Sequence, residues 1–65
     1  MSEYDATKEK IMEVLREYGE LNATRLARLT GLHYRVLLRH LMVLIEQGYV
    51  EERRFGRLRL FRIKT

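Results

Sequence analysis

The 65-residue sequence contains no cysteine and no proline, and only four glycines. Without cysteine there is no disulfide framework, no thiolate metal site and no thiol nucleophile. Without proline, the glycines at positions 19, 31, 48 and 56 are the main breaks in the chain. Long apolar runs are also missing. Stretches such as Leu41-Met42-Val43-Leu44-Ile45 are far too short for a membrane span. The acidic start Ser2-Glu3-Tyr4-Asp5 does not resemble a signal peptide, so a soluble, intracellular protein with no membrane partner is expected. A chain of this size buries only about 60% of its unfolded surface, which leaves a small core that an oligomer interface would supplement.

Charge, by contrast, is abundant and unevenly placed. The chain has 13 basic and 9 acidic residues, a net of +4. Residues 1–24 carry 3 basic and 6 acidic side chains, net −3, whereas residues 25–65 carry 10 basic and 3 acidic, net +7. Ten of the basic residues are arginine, whose planar fork suits phosphate and guanine. A polyanionic partner for the C-terminal two-thirds is the first expectation. The plainer alternative is an Arg- and Glu-rich thermophile surface, consistent with one Asn, one Gln and no Cys, and with an archaeal or archaeal-virus source. That alternative does not account for the segregation of the charges.

Periodicity gives three helices and a hairpin. Ile11, Val14, Leu15 and Tyr18 recur at helical spacing and predict a helix over residues 6–18, with Asp5 as N-cap and Gly19 just past its end. Glu20-Leu21-Asn22-Ala23 has room for a turn or a brief strand, and Asn22 can cap a second helix over 23–30, Leu26 and Leu29 inward, Arg25 and Arg28 outward. Gly31 stops it. A third helix over 33–47 follows, with Leu37, Leu41 and Leu44 as core stripe and Gly48 as stop. From Tyr49 the period becomes 2, and two strands within 49–64 flank Phe55-Gly56. Phe61 interrupts the alternation there, so a bulge or edge twist is expected.

This order of signals resembles a winged helix-turn-helix domain of the ArsR/MarR-like type, as in many small archaeal transcriptional regulators. The resemblance lies in Leu26-Ala27-Arg28-Leu29-Thr30-Gly31-Leu32, in Leu38-Arg39-His40-Leu41, in Leu44-Ile45-Glu46-Gln47-Gly48-Tyr49-Val50 and in Gly56-Arg57. It implies an α+β fold, one domain over 1–65, in which three helices are followed by a two-stranded β-hairpin wing. The serine usual before Arg39-His40 is Leu38 here, so a hydroxyl contact is absent. The Cys or acid/His sets of the metal-sensing branch are also absent, so no metal and no cofactor are expected.

In such a domain the start of the second helix-turn-helix helix reaches base edges in the major groove. The residues that would do so are His33, Tyr34, Arg35 and Arg39, with Arg35 the candidate for a bidentate guanine contact; its alternative is a solvated helix-face arginine. For His33, a helix N-cap or a phosphate neighbour competes with base reading. For His40, a half-buried packed imidazole competes with a phosphate contact. Arg53, Arg54, Arg57 and Arg59 surround the hairpin tip and suit the minor groove or flanking phosphates, the alternative being a charged edge that blocks strand aggregation. Thr24, Arg25 and Arg28, with the second helix's N-terminal amides, are candidates for phosphates.

Leu38, Met42 and Ile45 recur beside the third helix's core stripe and make that helix apolar around more than half its girth. Either the first helix covers them or they meet another subunit, a surface that Tyr4, Met12 and Tyr18 would extend. A homodimer is expected, with recognition helices about one DNA turn apart. Enzyme activity is not expected, since no phosphate loop, nucleophile pair or metal-spaced His/acid set is present. The leading function is a sequence-specific double-stranded DNA-binding regulator, a repressor by occlusion since no separate effector domain is seen, located in the cytoplasm on the nucleoid. The alternatives are a winged-helix protein-interaction or assembly module, and a sequence-neutral chromatin-like protein.

Overall fold

The structure, a computed structural model, describes residues 3–65, with side chains from Asp5 onward. Asp5 places negative charge in the first turn of α1 (Glu3–Tyr18), where the helix dipole favours it. The helix therefore starts ahead of Asp5, which lies within α1 and is not its cap. At the other end the Gly19 amide, with φ of 86°, donates to the Leu15 carbonyl at 2.8 Å and closes the helix.

Leu21 and Asn22 form the short strand β1 (Leu21–Asn22), and the Asn22 side chain accepts from the Arg25 amide at 2.8 Å to start α2 (Ala23–Thr30). Gly31, with φ of 74°, donates to Ala27 at 2.9 Å and turns the chain toward α3 (Tyr34–Glu46). The Thr30 hydroxyl seals this turn. It is buried, donates to Leu26 at 2.8 Å, and accepts the Leu32 amide at 3.4 Å. Past α3, the Tyr49 amide reaches the Leu44 carbonyl at 2.9 Å and the Gly48 amide reaches Ile45 at 3.0 Å, the two bonds of a Schellman stop.

The hairpin comprises β2 (Val50–Phe55) and β3 (Leu58–Ile63), joined by Gly56 and Arg57. Its register is unbroken from Val50↔Ile63 to Phe55↔Leu58, so the expected irregularity at Phe61 is absent. Phe61 lies on the inward face of β3 and is fully buried, whereas Leu58 and Leu60 occupy the outward face. β1 pairs with the other edge of β3 through Leu21↔Phe61, which completes an antiparallel sheet of order β1-β3-β2. A two-residue strand thus extends the expected two-stranded hairpin to three strands.

The core gathers Ile11, Met12 and Leu15 of α1, Leu26 of α2, Leu37, Leu41 and Leu44 of α3, with Leu21, Val50 and Phe61 from the sheet. Two sequence expectations change here. Met12, only 8% exposed, belongs to the core and not to an intersubunit surface, while Tyr18, at the last position of α1, is 48% exposed. Leu38 and Ile45 pack against the core, so this chain itself uses most of the apolar surface of α3. Met42 does not share that side: it is 60% exposed. The side chain of Tyr4 lies outside the described residues.

Candidate nucleic-acid interface

α2, the Gly31 turn and α3 form two helices joined by three residues. His33 caps α3: its Nδ1 accepts the Arg35 amide at 3.2 Å, which leaves Nε2 to carry the proton of a neutral ring. Tyr34, Arg35 and Arg39 are exposed on α3. Leu37, Leu41 and Leu44 face the core, so positions 35, 39, 42 and 46, spaced by three and four residues, share the opposite side. Thr24, Arg25 and Arg28 are exposed on α2. His40 is part-buried on α3.

The arginines divide into two sets. Among the described residues, Arg25, Arg28, Arg35, Arg39 and Arg57 make no ion pair. The others in the hairpin are committed. Arg53 Nη1 donates to Glu20 Oε2 at 3.2 Å, Arg54 Nε to Glu52 Oε2 at 3.0 Å, Arg59 Nε to the same Glu52 oxygen, and Arg62 Nε to Glu51. Of the four arginines expected around the tip, only Arg57 is without an ion pair. Only Arg57 lies in the turn, because strand alternation sends Arg53 to one face and the cross-strand pair Arg54↔Arg59 to the other, within reach of glutamates.

A family model described as winged helix-turn-helix DNA-binding matches residues 4–51. The chain belongs to the winged helix-turn-helix DNA-binding family. Among solved structures, the winged helix is similar to the homodimeric DNA-binding domain of a possible ArsR-family transcriptional regulator from Mycobacterium bovis. The identity is 28% and the TM-score 0.85, over 94% of this chain and 56% of that one. It is similar to a possible transcriptional regulator for arsenical resistance at 30% identity and TM-score 0.82, over 92% of this chain and 62% of that one. It therefore spans less than two thirds of the length of either regulator. The Zα domain of Carassius auratus PKZ, solved in complex with Z-DNA, has the same fold, with 24% identity and a TM-score of 0.87 over 95% of this chain and 98% of that one. No curated protein matches the chain.

Three features of this winged helix escape sequence inspection. Thr30 reads as an ordinary polar helix residue, yet it closes the helix-turn-helix from inside. Phe55 and Leu58 face each other across the base of the wing turn and are both exposed, so Arg57 is flanked by apolar groups. Glu52 joins two wing arginines. The hydrogen bond from Arg59 holds the Glu52 carboxyl below its ordinary value of 4.5; partial burial opposes this and the bond from Arg54 adds to it. The same contact raises the pKa of Arg59. Because the folded value of Glu52 is lowered, its pairing stabilises the wing fully above pH 4.5 and is lost as pH falls through the folded value. Glu52→Gln should thus unfold at a lower temperature than the parent at neutral pH. The gap should narrow below pH 4.5 in a series of thermal melts.

Among the described residues no three His, Asp or Glu side chains are grouped as a metal site, and no helix is long and apolar enough to cross a membrane. An open surface depression between the end of α1 and the end of β3 is lined by Leu15, Arg16, Gly19, Glu20, Arg62, Ile63 and Thr65. It contains none of the candidate nucleic-acid contacts.

Proposed function

We propose that the chain is a sequence-specific double-stranded DNA-binding transcriptional regulator that acts as a homodimer and represses by occupying its site. The observation that carries this reading is the set of five arginines without ion pairs, placed on α2, on the outward side of α3 and at the wing tip. A surface selected only for charge balance would pair these as it pairs Arg53, Arg54, Arg59 and Arg62.

In this reading α3 enters the major groove. Arg35 and Arg39 hydrogen-bond base edges, and Tyr34 stands beside them in the first turn of α3. The His33 cap fixes where the helix begins, and its Nε2 proton faces a phosphate. Arg25 and Arg28, together with Thr24 in the first turn of α2, hold the backbone, which sets register without reading sequence. Arg57 reaches a phosphate that flanks the minor groove, while Arg53, Arg54 and Arg59 stiffen the wing through their glutamates. Homodimerisation is supported by the Mycobacterium bovis relative, whose domain is homodimeric. Among the described residues, Tyr18, exposed at the end of α1, is the remaining candidate contact outside α3.

Duplex binding measured against salt concentration tests this. Three phosphate contacts per chain, from Arg25, Arg28 and Arg57, predict a slope of log affinity on log salt of about −2.7 for one chain and about −5.4 for two. A selected site should bind at least about 10³-fold more tightly than random duplex. A steep slope without preference would indicate a chromatin-like protein. Absence of binding at low salt would leave the interaction-module alternative.

A further inference from the structure

Met42 is the most exposed large apolar side chain on the outward side of α3, and its neighbours there are charged. It follows Arg35 by seven residues and Arg39 by three, so the three side chains share one strip of the helix surface. Leu38, one turn before Met42, is part-buried against the core and reaches the edge of that strip. The two arginines have no ion-pair partner among the described residues. Met42 lies one turn beyond Arg39 and one turn before Glu46, and a second copy packed on it would bury two arginines per chain against a strip that offers only one carboxylate to pair them. Such a strip suits a polyanion that carries apolar groups at the same depth. In the major groove of B-DNA the groups with that property are the C5 methyls of thymine, which lie beside the acceptor edges that arginine reads.

We propose that Met42, with Leu38 beside it, is a specificity-determining residue that packs on a thymine methyl in the major groove. The inference rests on the DNA-binding reading above and adds to it. The recognition helix selects guanine through Arg35 and Arg39, and thymine through the apolar side chains among them. Along the helix axis, Arg35 and Met42 are about 10 Å apart, or roughly three base steps at 3.4 Å. A methyl-dependent position should therefore lie within about three base pairs of an arginine-read guanine.

The test uses the whole chain and the duplex it prefers from a random pool. Each thymine in that duplex is replaced in turn by deoxyuridine, which pairs identically and lacks only the methyl. The expected result is a loss of about four-fold at one or two positions, the worth of one buried methyl, and disappearance of that loss in Met42→Ala. Met42 is exposed, so the variant should fold as the parent does, which a thermal melt checks. If every deoxyuridine site binds the parent as tightly as its thymine counterpart while Arg35→Ala still relaxes a guanine preference, the Met42 assignment is wrong and the DNA reading stands. If Met42→Ala converts a dimer to a monomer in sedimentation equilibrium, Met42 belongs to a subunit contact and the assignment also fails. A chain that binds no duplex at low salt overturns the DNA reading itself.

Discussion

Replacing Phe61 by alanine is expected to destabilise the chain by about 3–5 kcal/mol, the range for a large aromatic removed from a packed core. Phe61 is fully buried on the central strand of the sheet, paired with Leu21 on one side and Glu52 on the other. It thereby ties β1 and the wing to the helices. A domain of this length has roughly 3–10 kcal/mol of total stability at 0.05–0.15 kcal/mol per residue. The substitution should therefore lower the melting temperature by at least about 12 °C, or abolish cooperative unfolding. Phe55→Ala is the control: Phe55 is exposed at the wing tip, and its loss should cost no more than about 0.5 kcal/mol. Equal effects from the two would show that the strand register places the wrong aromatic inside.

This contrast also marks how far the residues alone reveal the fold. Gly31 and Gly48 stop α2 and α3 where a left-handed backbone is needed, and Asn22 caps α2 through a contact three residues away. Such signals are local, and the sequence exposes them directly. The alternation of β3 likewise separates Leu58 and Leu60 from Arg57 and Arg59. It does not say which face meets the helices, because that depends on how the sheet docks. The arginine at position 59 and Phe61 share the inward face, and the two leucines take the outer one.

The same non-local dependence explains the charges of the wing. Whether Arg54 and Arg59 are free cannot be known until the hairpin register brings both to Glu52. On α1, Met12 fills the core in place of Tyr18 because the docking angle rotates the buried stripe, a quantity absent from the helix's own spacing. On α3, Leu38 and Ile45 find partners within the chain, which removes most of the apolar excess that suggests a second subunit. What remains exposed is Met42, in a strip that also carries Arg35 and Arg39.

Those two arginines carry the largest expected effect on binding. Each bidentate contact with a guanine is worth about 1–3 kcal/mol of discrimination. The double substitution Arg35→Ala with Arg39→Ala should therefore cost about 2–6 kcal/mol per half-site of the preferred duplex, if the two read separate base pairs and add. That is a loss of roughly 30-fold or more. Random duplex should lose far less, so the ratio between the two falls. The matched comparison is Arg25→Ala with Arg28→Ala, which should weaken preferred and random duplex alike and make the salt slope shallower by about 1.8 per bound chain, or about 3.6 for the homodimer. All four side chains are exposed, so each variant should stay within about 0.5 kcal/mol of the parent's stability. The decisive quantity is the ratio of affinities. If removing Arg35 and Arg39 leaves that ratio unchanged, the outward side of α3 is not the reading surface, and the free arginines serve only to hold the phosphate backbone.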